Sequence, residues 1–321
     1  MKITKFVTPV ERLPQILVDR LMIMFPGGEF HSVVNGFSVH RPTTIRANSL
    51  KISGRELKER FQQDKIHFDV VNWYGDALIL SGISRGQLSR RDEYKNGSFY
   101  VQSLSSMLPV LVLQPKPGEN VLDLCAAPGS KTTQMAAMMK NQGTIVAYET
   151  NPIRTDKLVA NLTIQGVTNV NIETYSGEKA GERYPNYFDA VLVDAPCSGE
   201  GRINIYDHGS FRGWSVKKIK DYSILQKRLL ISAIFATKPG GRIVYSTCTL
   251  APEENEGVID YVMTVLSGKV ALEYVSLPGL KISPSFTSWN GKTYIRDISK
   301  SVRVFPSALM EGFYIAMLRK I

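Results

Sequence analysis

The sequence predicts an α/β fold: a doubly wound sheet with parallel early strands from about Val110 onward, preceded by a small α+β domain. Three observations carry this. Short apolar runs alternate with amphipathic, helix-length segments through the second part of the chain. The first part instead shows β-like runs broken by glycine-containing turns. The 321 residues suffice for one large domain with an appendage. The boundary falls between 96 and 97, giving a small domain over 1–96 and a large one over 97–321.

Within 1–96, HFDVVNW and ALILSG read as strands and GRELKERFQQ as a helix. Asn96 to Pro115 is the least charged long stretch, but it holds Ser, Gln, Asn and two prolines. It therefore reads as a buried helix rather than a membrane span. Strand and helix then alternate: ENVLDLC and KTTQMAAMMK; GTIVAYE and PIRTDKLVANLTIQ; NVNIET; FDAVLVD and VKKIKDYSILQKRLLISAIFAT; GRIVYSTC and EENEGVIDYVMTVL. In such a sheet ligands bind outside the carboxyl ends of the strands. Those ends are Asp123-Leu124-Cys125, Tyr148-Glu149, Asp194-Ala195-Pro196-Cys197 and Ser246-Thr247-Cys248, and the unusual residues gather there.

Composition excludes several classes. Apolar residues make up 43% and charged residues 21%, ordinary globular usage that rules out a wholly disordered chain. The start, MKITKFVTPVERLPQ, lacks the apolar block of a signal peptide. Cys125, Cys197 and Cys248 are too few and scattered for a disulfide framework or zinc site, so a cytoplasmic chain with reduced thiols is expected. The net charge of +10 is uneven: residues 1–95 and 202–228 each carry +5. Such a balance suits a polyanion, nucleic acid being the commonest, or else a solvated basic surface.

Asp123-Leu124-Cys125-Ala126-Ala127-Pro128-Gly129-Ser130-Lys131-Thr132 follows the first strand of the large sheet. Its small residues let backbone N–H groups approach a ligand, though it lacks both the dinucleotide glycine pattern and the P-loop. Glu149 ends the next strand, as a ribose acceptor or a solvated turn residue. A buried strand cysteine is usually a small hydrophobe. Here two of three sit at sheet tips, Cys197 beside an aspartate motif and Cys248 among hydroxyls. A thiol peptidase would need a histidine, and none of His31, His40, His67 and His208 lies in a strand-tip motif.

DLCAAPGSKT, DAPCSGEG and YSTCT-x-x-PEENE, in this order, resemble the NOL1/NOP2/Sun (RsmB-like) family of S-adenosylmethionine-dependent RNA cytosine-C5 methyltransferases. The likeness extends to Gly97-x-Phe99-x-x-Gln102-x-x-Ser105-Ser106, Gln226-x-x-Leu229-Leu230, Arg303-Val304-Phe305-Pro306 and Glu311-Gly312-Phe313, with weaker support in RANSLKIS near Arg46. It implies a Rossmann-like methyltransferase sheet, an RNA partner (tRNA or rRNA) and S-adenosylmethionine as cofactor. A monomer with no membrane attachment and no metal is expected.

The resemblance implies roles for particular residues. Cytosine C5 is a poor nucleophile toward a sulfonium methyl group, and a thiolate added at C6 makes it enamine-like. Cys248 would be that nucleophile, Cys197 would help resolve the adduct, and Asp194 would hydrogen-bond or protonate the base at N3. The cofactor would contact Cys125, Ala126, Ala127, Pro128, Gly129, Ser130 and Lys131, with Glu149 on its ribose, and Arg154 and Asp194 alongside. Where the family has an adenine-reading aspartate this chain has Ser176, so Ser176, a backbone group or Glu178 would serve. Pro306-Ser307-Ala308-Leu309-Met310 lacks the family's nearby histidine and takes no catalytic role.

Rival classes fit less well. Glu119-Asn120-Val121 matches a DNA cytosine methyltransferase motif but precedes the loop, where it only opens a strand. Amino-group methyltransferases carry Asn or Asp followed by Pro-Pro-aromatic, against Asp194-Ala195-Pro196-Cys197 here. A non-catalytic RNA-binding relative is the alternative, although such a protein is expected to lose a catalytic cysteine. For RNA, the small domain offers its basic residues and Trp73-Tyr74, with Trp73 read as core.

Overall fold

A computed structural model describes residues 9–280 and 282–321. The chain begins with two helices, α1 (Gln15–Met24) and α2 (Gly28–Phe37). A four-stranded antiparallel sheet follows, ordered β2-β3-β1-β4, from β1 (Thr43–Ala47), β2 (His67–Val70), β3 (Ala77–Ser81) and β4 (Phe99–Val101). Helix α3 (Gly54–Gln63) covers it. Ser53 caps α3 by accepting from the Glu56 N–H at 3.1 Å, and Leu57 and Phe61, one turn apart, enter the apolar cluster with Ile45, Leu78 and Phe99. Two single-turn helices, α4 (Arg85–Leu88) and α5 (Asp92–Lys95), lead out of it. Strand β4 lies beyond residue 96 yet pairs with β1, while α1 and α2 bury Leu17, Leu21 and Phe37 in the cluster of the large sheet.

The large sheet runs β11-β14-β15-β9-β8-β5-β6-β7, with β10 also on β15. Its parallel part is β5 (Asn120–Asp123), β6 (Thr144–Tyr148), β7 (Val170–Glu173), β8 (Phe188–Asp194) and β9 (Thr237–Thr247). Five further strands close the chain: β10 (Val270–Glu273), β11 (Ser283–Pro284), the separate hairpin β12 (Ser288–Trp289) and β13 (Lys292–Thr293), and β14 (Val302–Val304). The last strand, β15 (Phe313–Lys320), is antiparallel to β9.

Helices cover both faces, as a doubly wound sheet requires. On one lie α6 (Leu104–Leu113), the expected buried helix, and α7 (Ser130–Met138), burying Met107, Leu108 and Met135. Between β6 and β7 runs α8 (Pro152–Gln165), opened by an Asn151 cap with proline at its first turn and ended by Gly166 at φ 71°. On the other face lie α9 (Ala180–Arg183), α10 (Val216–Ala236) and α11 (Glu256–Val265), with Leu230, Ala233 and Ile259 inward. Among the described residues, no helix is long and apolar enough to cross a membrane and no cluster of metal-ligating side chains occurs.

Candidate active site

Register brings the two cysteines together. Asp194 and Ser246 are partners on the parallel strands β8 and β9, so the chains leaving both strands run side by side. Cys197 Sγ lies 3.3 Å from Cys248 Sγ. The hydrogen bond to Cys248 and burial both raise the Cys197 thiol, whereas that same bond, with help from the Arg202 guanidinium, holds Cys248 below its ordinary value against the opposing effect of burial. The two thiols are thus shifted in opposite directions, Cys248 toward the thiolate and Cys197 away from it.

Each polar residue of the PEENE segment braces this tip. Glu254, with no exposure, accepts from the Ser198 N–H and from Gln226 Nε2, both at 2.9 Å. Gln226 also donates to Pro196 O at 2.8 Å, so α10 holds the Cys197 loop. Asn255 donates to Thr249 O at 3.0 Å and accepts from Thr247 Oγ1 at 2.5 Å, straddling Cys248. Glu256 pairs with Arg303 of β14, both fully buried; Arg303 Nε donates to Glu256 Oε1 at 2.6 Å and Nη1 to Leu250 O at 2.9 Å. Glu253 accepts from Arg20 of α1 and from Trp289. At Gly201 a Cβ would stand 2.0 Å from Gly312 O, and this close crossing lets the Gly201 N–H reach Cys248 O at 3.0 Å.

Asp194 is pinned from two sides. Lys131 Nζ lies 2.7 Å from Oδ2 and also donates to Ser106 Oγ at 2.8 Å, while Ser246 Oγ donates to Oδ1 at 2.8 Å. Asp123, buried behind them, accepts from Thr132 Oγ1 at 2.7 Å, and burial pushes its carboxyl up to about 6.

The loop after β5 is built to approach a ligand. Gly129, at φ 105°, starts α7, and a Cβ there would meet Leu158 Cδ1 at 2.9 Å. Ala126 N–H donates to Tyr148 O at 3.0 Å, tying the loop to the end of β6. There Glu149, only 6% exposed, accepts from the Asn151 N–H at 2.9 Å and faces Arg154 Nη1 at 3.2 Å; Arg154 Nη2 donates to Ala127 O at 2.6 Å. Ser176 donates to Glu178 Oε2 at 3.1 Å. Burial pushes the Cys125 thiol up, the direction opposite to Cys248.

One cleft of about 720 Å³ joins these parts. Cys125, Ala126, Ala127, Pro128, Ser130 and Lys131 line it, with Glu149, Arg154, Ser176, Asp194, Cys197 and Cys248; of the residues singled out in the sequence, Gly129 does not reach the lining. The cleft fits a cationic nucleoside. Three carboxylates, Glu149, Glu178 and Asp194, face it, Ala126 and Ala127 leave backbone within reach, and at Gly177 a Cβ would meet Leu124 Cδ2 at 2.8 Å and Leu229 Cδ2 at 2.9 Å. Sequence reasoning gave no role to Arg202 or Glu254, nor did it see Lys131 as the partner of Asp194. Arg202 stood out only as part of the basic segment 202–228, and nothing local marks its approach to Cys248.

Residues 110–319 match the sequence profile of the family described as 16S rRNA methyltransferase RsmB/F. The chain belongs to this family. RsmB/F enzymes are S-adenosylmethionine-dependent RNA methyltransferases. The tRNA (cytosine(49)-C(5))-methyltransferase of Pyrococcus abyssi is 40% identical to this RsmB/F-family chain over 314 residues, 97% of each. Ribosomal RNA small subunit methyltransferase F of Shewanella sp. (strain MR-4) is 39% identical over 280 residues, 86% of this chain. That match is 56% of the relative's own length, so the chain spans just over half of it. A crystal structure of a methyltransferase homolog protein from Pyrococcus horikoshii is 32% identical, with a TM-score of 0.85 and 99% of both chains covered.

Proposed function

We propose that this protein methylates C5 of a cytidine in tRNA, with rRNA as the second substrate class, through a covalent adduct on Cys248. The observation that carries the mechanism is the sulfur pair: two thiols 3.3 Å apart at adjacent strand tips, with Cys248 shifted toward the thiolate and Cys197 away from it. They share a cleft with Glu149 and the loop Cys125–Lys131. tRNA is favoured because the relative matched along 97% of its length is named for tRNA, while the rRNA enzyme carries much chain beyond the match.

The Cys248 thiolate adds to C6, forming an S–C bond and moving electron density toward N3 and C5. Asp194, fixed by Lys131 and Ser246, meets the N3 edge, where a proton shared between its carboxyl and N3 offsets the negative charge that develops there. Cys125–Lys131 would hold S-adenosylmethionine, with Glu149 on its ribose, and the bound cofactor would supply the electrophilic methyl group as a sulfonium. Arg154 holds Glu149 and the Ala127 carbonyl in place, and Ser176 or Glu178 reads the adenine edge. Cys197 then assists loss of the C5 proton as the Cys248 sulfur departs and the C6–S bond breaks. Its thiol hands a proton to the departing sulfur, and the Cys197 thiolate so formed takes the proton from C5.

The exposed basic residues of 1–95 and 202–228 are read as phosphate contacts, Arg20 and Arg46 being buried, with the small N-terminal unit over 1–96 as an RNA-binding domain. Reduced thiols are essential to this chemistry, which favours the cytoplasm, and the enzyme is read as a monomer. Bisulfite sequencing of tRNA and rRNA from cells with and without the gene tests the reading. A cytidine resistant to conversion only when the gene is present is expected; identical profiles would overturn it.

A further inference from the structure

Between two lining residues of the cleft, Arg202 and Ser210, the chain makes an excursion to the surface. That excursion is braced from within. Ser210 Oγ donates to Asp207 O at 2.7 Å and accepts from the Asn204 N–H at 3.0 Å; Asn204 Oδ1 accepts from the Tyr206 N–H at 3.0 Å. Ile205, 4% exposed, sits in the core, and its N–H donates to Phe37 O at 3.0 Å, anchoring the loop on α2. The next side chain turns outward. Tyr206 is 54% exposed, and its ring stacks on exposed His40 with centroids 5.2 Å apart and planes 15° from parallel. The exposed Arg12 guanidinium lies 5.6 Å from the tyrosine centroid.

Two aromatic rings stacked in water bury little apolar area and add little to the core, so packing is a poor reason for them. Besides Arg12, cations are frequent in the neighbouring chain: exposed Arg202 and Arg212 flank the loop in sequence, and exposed Lys217 and Lys218 follow at the start of α10. The Asp207 carboxylate is taken by the Gly209 N–H at 2.9 Å. A rigid, ready-stacked π surface among cations, on a loop rooted in the cleft, matches what an unstacked nucleobase needs. When a target base turns into the cleft, its neighbour loses a stacking partner.

We infer that the His40–Tyr206 pair is a stacking platform for an unpaired RNA base flanking the methylated position. The inference rests on the RNA methyltransferase reading and extends it to the rim of the same site. A fluorescein-labelled, unmodified tRNA transcript and an RNA duplex of matching length serve as probes, with affinity read by anisotropy across a salt series.

Tyr206→Ala weakens tRNA binding about 5- to 100-fold, the effect of losing one base–aromatic stack. Duplex binding stays unchanged, as does the slope of log affinity against log salt, because no phosphate contact is lost. Tyr206→Trp restores affinity, and Arg212→Ala instead lowers the salt slope by about 1. Equal tRNA affinity for a folded Tyr206→Ala protein and wild type overturns the platform alone. Equal losses on tRNA and duplex also overturn it, since the contact would then not be to a base. Absence of tRNA binding by the wild-type protein overturns the platform together with tRNA as the substrate.

Discussion

Glu254 is a carboxylic acid in the wall behind Cys197, and its titration links the tip's architecture to stability. It has no solvent exposure, one oxygen accepts two hydrogen bonds, and the other lies buried without a partner. Burial pushes its pKa up to about 7 from an ordinary 4.5, against the opposing pull of the Ser198 and Gln226 hydrogen bonds. The folded protein thus holds this proton more tightly than the unfolded chain. Its contribution is full below 4.5 and is lost as pH rises through 7. At about 1.4 kcal/mol per unit, the change across that window is about 3 kcal/mol.

Glu254→Gln keeps the shape and cannot ionise. Asp123, raised in the same direction, is present in both proteins and cancels in their difference. Urea denaturation of the two proteins at intervals from about pH 4 to about pH 8 should show the variant gaining about 3 kcal/mol relative to wild type. A stability difference that stays constant over this range would refute the argument, since Glu254 would then titrate alike in both states.

Other consequences follow from the same geometry. Glu256→Gln strands the fully buried Arg303 guanidinium and should cost about 3–5 kcal/mol in urea denaturation, while replacing both partners by Met should recover most of it; a single-variant loss below about 1 kcal/mol would contradict this. Glu149→Ala should weaken S-adenosylmethionine binding by about 1.5–3 kcal/mol for each charged hydrogen bond lost. Calorimetry showing unchanged affinity in a folded variant would remove Glu149 from the site.

Much of the fold was legible because period and chemistry agreed locally. FDAVLVD and GRIVYSTC are apolar runs of strand length and became β8 and the end of β9, and the cap and proline before IRTDKL start α8 where the sequence places it. Less visible were α1 and α2, whose apolar faces match no partner until the sheet exists, and β4, whose three residues are too few for a period. At the site, the strand-end rule drew attention to Asp194, Cys197, Glu149 and Cys248, which do line one cleft. The rest depends on register and distance. Only the pairing of β8 with β9 brings two sulfurs separated by 50 intervening residues into contact, and only the folded loop carries Arg202 toward Cys248.

The central claim is the division of labour between the thiols, and a denaturing gel tests it most directly. Wild type, Cys248→Ala and Cys197→Ala are each incubated with unmodified tRNA and S-adenosylmethionine, then denatured. Cys248→Ala should form no covalent species and transfer no methyl group, because no sulfur can attack C6. Cys197→Ala should attack but release slowly, leaving a protein–RNA band that survives denaturation. The opposite pattern, with Cys248→Ala trapping RNA and Cys197→Ala unable to attack, would mean that the roles are reversed. Full methyl transfer by Cys248→Ala would contradict the covalent mechanism altogether.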